Sequence, residues 1–378
     1  MWYSYFMKTI ERELDLKPAS LRMLEPYLGG KSYGVFDIET TGLSPAYSSI
    51  ILSGFVIVRD GRAVLKQFFA SHPSQEPDVI KASLAEIADL DYLVTFNGRM
   101  FDIPFLIKRA AKFGLLEASQ PEDLFSLLSD PAGTAAKKPD IRTKYDLDLF
   151  VIMKYYSDLP GMIGSMSQKN LERFMGISDL RDDEISGEES VRLYQNYVNF
   201  PTREAEESIL LHNSDDVCQL TRLLPVLTRS DIHRAMSKGG FPVTGGIVKS
   251  VQPGRDSLLI KGKADRPMEY FSFPSQDRPY DFYMSGTDGS FTITVPLESE
   301  AGALYVDLVA LLGSGQIVSE SENVSEVSIP CEIAELPGFV NGYLLIKDPM
   351  DPGRTDWLGL NLFAKHLTDR ILSRICPQ

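Results

Sequence analysis

Cysteine is scarce in this 378-residue sequence. Its three cysteines, Cys218, Cys331 and Cys376, are scattered and odd in number, which argues against a disulfide framework and against paired zinc ligands. No segment approaches the roughly 20 consecutive apolar residues that span a bilayer. In the N-terminal stretch MWYSYFMKTIERELDLK, charged residues interrupt the aromatic ones. A signal peptide would have an apolar segment instead. We therefore expect a cytoplasmic protein with no membrane association.

Positive charge is also in short supply. Lysine and arginine total 38 against 52 aspartate and glutamate residues, a net charge of -14. A chain of this charge repels polyanions, which excludes a purely electrostatic nucleic-acid binder. An enzyme that holds metal ions with carboxylates escapes this exclusion, because the bound cations reverse the local field.

The length suits two domains, and the apolar content of 43% is sufficient for ordinary cores. Leucine spacing predicts a helical N-terminal extension over residues 1–32. Strand-like and helix-like periods then alternate over residues 33–237, which predicts an α/β domain. The stretch GGFPVTGG predicts a linker, and residues 238–378 read as short β runs with a C-terminal helix, that is, a mainly β domain.

Two carboxylates stand close together in the segment YGVFDIETTGL. Asp37 and Glu39 alternate with apolar residues on a predicted strand, so their side chains project to the same side, about 6 to 7 Å apart. A divalent cation bound by oxygen ligands is the usual way to neutralise such a pair, and Mg²⁺ or Mn²⁺ suits these ligands. An edge strand with acids on its solvent face explains the pair equally well.

Two further segments offer acids. Asp102 follows the apolar run and Asn-Gly turn of VTFNGRMFDIPF, where an N-cap is the simpler interpretation. His212 and Asp216 are four residues apart in LLHNSDDVCQL, so they share one face of a helix. A solvated helix face is the simpler interpretation of that pair.

Taken together, FDIETTGL, FNGRMFDIPF and HNSDDV resemble, in this order, the three exonuclease motifs of the DEDD superfamily of ribonuclease-H-like nucleases. The likeness is closest to the bacterial YprB-like ribonuclease-H-like family and extends more distantly to the proofreading domain of B-family DNA polymerases. It covers roughly residues 33 to 228. The resemblance implies an α/β ribonuclease-H-like domain, with a mixed sheet flanked by helices, for residues 33–237.

The resemblance also implies a set of site residues. Asp37, Glu39, Asp102 and Asp216 match the four acids that hold two divalent metal ions, Mg²⁺ or Mn²⁺. His212 matches the residue that handles the attacking water, but it stands four residues before the last acid, the spacing of family members that have Tyr there. This departure concerns the general base more than the metal site, and Asp215 is the next-best ligand.

Candidate contacts to substrate are less specific. The basic segments KRAAK and KKPDIRTK suit phosphate groups, and solvated cations explain them as well. A nucleic-acid substrate nevertheless needs some contacts of this kind. The candidates are Thr40, Asn97, Lys108, Lys138, Arg142 and Lys169, with the other cations of the two segments, Arg109, Lys112, Lys137 and Lys144, as further phosphate contacts.

The C-terminal part favours a different role. Residues 281 to 335 contain ten acidic residues and no lysine or arginine, which favours a structural or protein-binding domain, with a possible protein partner. Basic residues gather before them, which leaves open a module that guides single strands. These residues are Lys249, Arg255, Lys261, Lys263 and Arg266.

The whole pattern predicts a metal-dependent nuclease, in its simplest form a 3′ to 5′ exonuclease on single-stranded DNA or RNA. Two alternatives remain open at this point. One is a structure-specific endonuclease that uses the same metal site. The other is a non-catalytic nucleic-acid-binding or scaffold protein that retains the fold.

Overall fold

The computed structural model describes residues 7–116, 144–182, 185–275, 279–300, 303–308, 311, 339–340, 343–348 and 351–375. The chain divides into two compact units. The first comprises Met1–Arg22 and Gly30–Ser230, and the second comprises Met23–Gly29 and Asp231–Gln378. No helix among the described residues is long and apolar enough to cross a membrane.

The predicted helical extension over residues 1–32 is wrong for its first described part. Lys8–Leu14 forms strand β1, which pairs antiparallel with residues 63 to 69 of a later strand. Only Ile10 and Leu14 of this strand are partly covered, the alternation of an edge strand with one face against the protein. Among the described residues of this stretch, the helical ones are a 3-10 turn at Arg22–Leu24 and the single turn α1 (Glu25–Leu28). Pairing with the edge of a later strand therefore favoured a strand here, although the leucine spacing predicted a helix.

A six-stranded mixed sheet forms the centre of the first unit, in the order β1-β4-β3-β2-β5-β6. From β1 to β2 all neighbours are antiparallel, whereas β5 and β6 continue the sheet in parallel on the other side of β2. β2 therefore lies inside the sheet. The strands are β2 (Tyr33–Thr40), β3 (Ile50–Arg59), β4 (Arg62–Phe69), β5 (Tyr92–Thr95) and β6 (Tyr145–Asp148).

Helices cover both faces of this sheet, as predicted. The described helices of the unit are α2 (Glu76–Asp89), α3 (Asp102–Lys112), α4 (Leu149–Tyr156), α5 (Pro160–Ile163), α6 (Gln168–Met175), α7 (Gly187–Asn199) and α8 (Arg203–Leu223). On one face, α2 and α3 bury Phe36 and Ile38 of β2 in the larger core. On the other, α7 and α8 pack against Leu52 and Phe69. Strand alternation thus directs the odd-numbered side chains of β2 toward the side of α8.

The second unit is mainly β with a terminal helix, which confirms the predicted class. Its larger sheet is antiparallel, in the order β10-β11-β12-β9-β8-β7, and its smaller sheet has the order β13-β14-β16-β15, with β17 paired to β16. Besides α1, its described elements are α9 (Ile232–Gly239), β7 (Phe241–Val243), β8 (Gly246–Pro253), β9 (Ser257–Ala264), β10 (Tyr270–Ser272), β11 (Asp281–Met284), β12 (Ser290–Pro296), β13 (Glu298–Glu300), β14 (Ala303–Asp307), β15 (Phe339–Val340), β16 (Tyr343–Asp348), β17 (Asp351–Thr355) and α10 (Trp357–Ile375).

The glycine-rich stretch predicted as a linker is part of this second unit. Within it, Phe241–Val243 is β7 and pairs with β8. Gly240 has a φ of +84°, and a Cβ there would meet the carbonyl oxygen of Val248 at 2.1 Å, so glycine is needed for a close backbone approach. The division of the chain falls after Ser230 rather than at residue 237, because α9 packs on β8.

Candidate active site

The two carboxylates of the first motif lie at the end of β2. Asp37 and Glu39 project from the face opposite Phe36 and Ile38. Pairing with β3 continues to Thr40, whereas the parallel pairing with β5 ends at Val35. Beyond Val35, the N–H groups of β2 on the β5 side are therefore open to side chains.

Asp102 uses one of these backbone groups. Its Oδ1 accepts a hydrogen bond of 3.2 Å from the N–H of Ile38, the residue between Asp37 and Glu39. Asp102 is the first residue of α3, and the N-cap position belongs to Phe101, which makes no side-chain cap. The N-cap interpretation of Asp102 is therefore wrong. Its buried carboxyl group is fixed beside the two acids of β2.

Helix α8 brings the third motif onto the same side of the sheet. His212 Nε2 lies 3.6 Å from Glu39 Oε1 and 3.6 Å from Asp216 Oδ2. One ligand atom from each of these residues lies within 4.8 Å of the others. The neighbouring Asp215 is engaged elsewhere, because its Oδ2 accepts a hydrogen bond of 2.6 Å from the N–H of Asp182.

The negative charges of Asp37, Glu39 and Asp102 are poorly compensated by the residues around them. Burial first, and then repulsion by Asp102, Asp216 and Glu39, hold the pKa of Asp37 well above its usual range. Burial raises the pKa of Glu39 to about 8 although nearby His212 opposes the shift, and burial raises the pKa of Asp102 to about 7. Carboxylates that repel one another in this way fit a divalent cation, which supplies the missing positive charge.

A buried amide holds Asp37 in place. Asn213 Nδ2 donates a 3.0 Å hydrogen bond to Asp37 Oδ2, and Asn213 Oδ1 accepts one of 3.0 Å from Gln67 Nε2. Gly54, the partner of Asp37 on β3, makes room for this amide, since a Cβ there would lie 2.0 Å from Asn213 Oδ1. Asn213 and Gln67 were not predicted. The glycine inside an apolar strand was the available signal for such a close approach.

An unpredicted arginine anchors the last acid. Arg181 Nη1 lies 2.7 Å from Asp216 Oδ1, and its Nη2 lies 2.8 Å from Glu172 Oε1 of α6. Glu172 and Arg181 are both buried. Because Glu172 balances the charge of Arg181, the pair can orient Asp216 and still leave its negative charge available to a cation.

Asp148, the last residue of β6, holds the Asn-Gly turn that precedes Asp102. Asp148 accepts hydrogen bonds of 2.9 Å from the N–H of Asn97 and 3.2 Å from the N–H of Arg99. Asn97 has a φ of +66°, a conformation that asparagine tolerates better than most residues. Asp148 also caps α4. It therefore positions the turn that leads into α3.

Because Asp146 is buried, we expect the free energy of unfolding to depend on pH. Burial first, and then the Asp148 charge, raise the pKa of Asp146 to about 8. An aspartate titrates near 3.9 when unfolded, so the penalty is absent below that pH, grows as the pH rises toward 8, and reaches at most about 6 kcal/mol. We expect Asp146→Asn to gain stability over the wild type between pH 5 and pH 8 in urea unfolding. Parallel pH profiles would contradict this.

The predicted substrate contacts have mixed outcomes. Lys108 is exposed on α3, whereas Lys169 donates to the carbonyl oxygen of Ile185. Thr40 is buried and donates to the carbonyl oxygen of Gly42. Arg109 is wrong as a phosphate contact, because it is buried and paired with Glu76. Asn97 is half-buried in its turn, and Lys138 and Arg142 lie outside the described residues.

The family model of the RNase_H superfamily matches residues 35–228. This range contains all three motifs and the sheet that carries them, and it is more than half of the chain. The chain belongs to the RNase_H superfamily.

Similarity to individual proteins is more limited. The chain is 32% identical over 139 residues to a DNA polymerase III PolC-type of Ureaplasma parvum serovar 3, covering 31% of this chain and 10% of that protein. It is 27% identical over 139 residues to a DNA polymerase of Thermococcus aggregans, covering 33% and 7%. The chain thus spans a tenth or less of the length of these relatives.

Solved structures also align with the chain, including one with high coverage. It is E. coli exonuclease I in complex with a dT13 oligonucleotide, with 12% sequence identity, a TM-score of 0.31, and coverage of 92% of this chain and 72% of that one. At this TM-score the alignment adds nothing to the family assignment.

Proposed function

We propose that the chain is a metal-dependent nuclease that hydrolyses phosphodiester bonds. The observation that supports this most directly is the meeting of Glu39, His212 and Asp216 within 4.8 Å. Asp37 and Asp102 add two further carboxyl groups from β2 and α3. A scaffold that does not bind metal has no physical reason to collect mutually repelling acids in a buried place.

Two divalent ions, Mg²⁺ or Mn²⁺, suit this donor set. Asp37, Glu39, Asp102 and Asp216 would hold them. When bound, such ions activate water and stabilise the charge that develops on the phosphate and leaving oxygens. Other residues of the chain orient these ligands: Asn213 keeps Asp37 oriented, and Arg181 keeps Asp216 oriented.

His212 is proposed as the proton acceptor for the attacking water. A neutral imidazole accepts a proton at neutral pH, which a tyrosine hydroxyl cannot do. Glu39 and Asp216, each 3.6 Å from Nε2, stabilise the cation that forms. Although the separation of His212 and Asp216 differs from that in family members with His, the imidazole ring still lies beside the acids.

The simplest form of the activity is a 3′ to 5′ exonuclease on single-stranded DNA or RNA. The match to relatives named DNA polymerases and the motif resemblance support a nucleic-acid substrate.

Product analysis on defined strands tests the proposal. With Mn²⁺ supplied, a 5′-labelled single strand is expected to shorten progressively from its 3′ end, and a circular single strand is expected to survive. Chelation by EDTA should stop the reaction. Cleavage of the circular strand would indicate an endonuclease instead of an exonuclease. Absence of cleavage of both DNA and RNA would reject the proposed nuclease function.

A further inference from the structure

The larger sheet of the second unit has one apolar face turned inward and one face turned to solvent. Inward residues such as Phe282 and Ile293 are fully buried, and α9 and α10 pack on β8 of this sheet. The outward face carries three large aromatic side chains at its β10 and β11 end. Phe271 is 52% exposed, Phe273 is 71% exposed and Tyr283 is 43% exposed.

The sheet register places these rings together. Phe271 is directly opposite Tyr283, Tyr283 is opposite Thr292, and Thr292 is opposite Lys261. Directly opposite side chains on one face of a sheet have Cβ atoms about 4.5 to 5.5 Å apart. The ring of Phe273 contacts that of Phe271 edge to face, with centroids 4.2 Å apart. Single exposed apolar residues are ordinary, but three adjoining rings form a patch that indicates a binding surface.

The same face carries three lysines on the strands beyond β12. Lys261 is exposed in the same row as Phe271, Lys263 is two residues further along β9 on the same face, and Lys249 is exposed on neighbouring β8. Three acids are also present: Asp281 is two residues from Tyr283 on the same face, Glu269 is two residues before Phe271, and Asp288 lies near Lys263.

This combination favours one kind of partner. The centres of protein–protein interfaces are depleted in lysine, so an aromatic cluster that shares one sheet face with three lysines is atypical of a protein-binding patch. Single-stranded nucleic acid is bound by this combination, because bases stack on the rings and cations contact the phosphates. The acidic stretch of residues 281 to 335 therefore does not exclude a local group of lysines on this sheet.

We propose that the face formed by Phe271, Phe273, Tyr283, Lys261, Lys263 and Lys249, the aromatic–lysine face, binds single-stranded nucleic acid. Its rings stack on the bases, and its lysines contact the phosphates. As a description of substrate binding, this proposal rests on the proposed nuclease function. Stacking on π-faces is tolerant of sequence, so the face would bind strands with little base preference.

The test measures binding separately from cleavage. Fluorescence anisotropy of a labelled thymidine oligonucleotide of about 20 nucleotides, longer than common single-strand site sizes, is followed with the full chain in EDTA. Phe271→Leu/Phe273→Leu removes the rings and keeps an apolar surface, and we expect an affinity at least about tenfold weaker. Lys261→Glu should weaken binding and reduce its salt dependence.

Matched controls lie in the same unit. Tyr343→Leu removes an exposed ring of the smaller sheet, and Lys238→Glu reverses an exposed charge of α9; both should bind like the wild type. Unchanged affinity in the aromatic and lysine variants, or equal losses in the controls, would overturn the proposal. So would a change from dimer to monomer in sedimentation of the aromatic variant, because the face would then be a contact between copies.

A small substrate separates this proposal from the proposed function. Hydrolysis of the p-nitrophenyl ester of thymidine monophosphate with Mn²⁺ reports on the active site without a long strand. We expect the aromatic variant to hydrolyse this ester at the wild-type rate and to cleave long strands more slowly at low concentration. A wild type that cannot hydrolyse the ester or any strand would reject the nuclease, while the anisotropy result would still decide the binding face.

Discussion

The Asp37→Asn variant is expected to lose nuclease activity by about three orders of magnitude or more and to fold more stably than the wild type in EDTA. Loss of a single group that stabilises developing charge commonly costs about 10²–10³ in rate, and Asp37 is surrounded by the other three acids. An asparagine keeps the size of the side chain and can present its oxygen to Asn213 Nδ2. The loss of activity would therefore come from the loss of charge.

The gain in stability follows from the sign of the pKa shift. Burial and three neighbouring acids raise the pKa of Asp37, so its ionised form is less favourable in the folded than in the unfolded chain. The resulting penalty is absent below the pKa of the unfolded aspartate, and it grows as the pH rises toward the folded pKa. A neutral asparagine has no such penalty. Higher stability with lower activity is the usual trade-off at a charged site.

The comparison needs two measurements and one matched control. Strand cleavage with Mn²⁺ reports activity, and urea unfolding in EDTA at neutral pH reports stability. Asp215→Asn is the control, because its oxygen can still accept the hydrogen bond from the N–H of Asp182. It should keep most of the activity. A tenth or more of wild-type activity in Asp37→Asn, or complete inactivity of the control, would refute the assigned ligand set.

Much of the fold follows from local patterns. The alternation in YGVFDIET and the apolar run before Arg-Asp-Gly correspond to β2 and β3. The segment DLDLFVIMKYY, which periodicity leaves between strand and helix, contains both, since β6 ends at Asp148 and Asp148 caps α4. The pairing of Lys8–Leu14 with β4 could not be predicted, because it depends on an edge formed by residues 49 to 61 positions away.

The residues of the candidate site also fall into those that local sequence predicts and those that it does not. Its acids and His212 lie in compact motifs, so their residue types and spacing carry the information. Arg181 comes from a segment with no motif and contacts Asp216, and Glu172 of α6 contacts Arg181. Both contacts depend on the packing of α6 against α8. Their roles depend on tertiary contacts that a single sequence does not encode locally. Gly54 is the intermediate case, since a glycine in a strand signals a close approach without naming the partner.

Arg109 provides the second large expected effect, on stability. Its Nε lies 2.7 Å from Glu76 Oε1, its Nη2 also pairs with Glu76, and its Nη1 donates to the carbonyl oxygen of Pro45. Both side chains of the pair are almost completely buried. Glu76 Oε1 also accepts a hydrogen bond of 2.9 Å from the N–H of Ile50. The pair therefore connects α2 and α3 to the start of β3.

Arg109→Met should lower the free energy of unfolding by about 3 to 5 kcal/mol, because it leaves Glu76 buried without its cation. Urea unfolding measures this loss. The double variant Glu76→Gln/Arg109→Met should recover a large part of it, since glutamine is neutral and still accepts from the N–H of Ile50. The affinity of the folded protein for oligonucleotides should be unchanged, which distinguishes a structural ion pair from a phosphate contact. A fully stable Arg109→Met that binds strands weakly would restore the role first predicted from KRAAK.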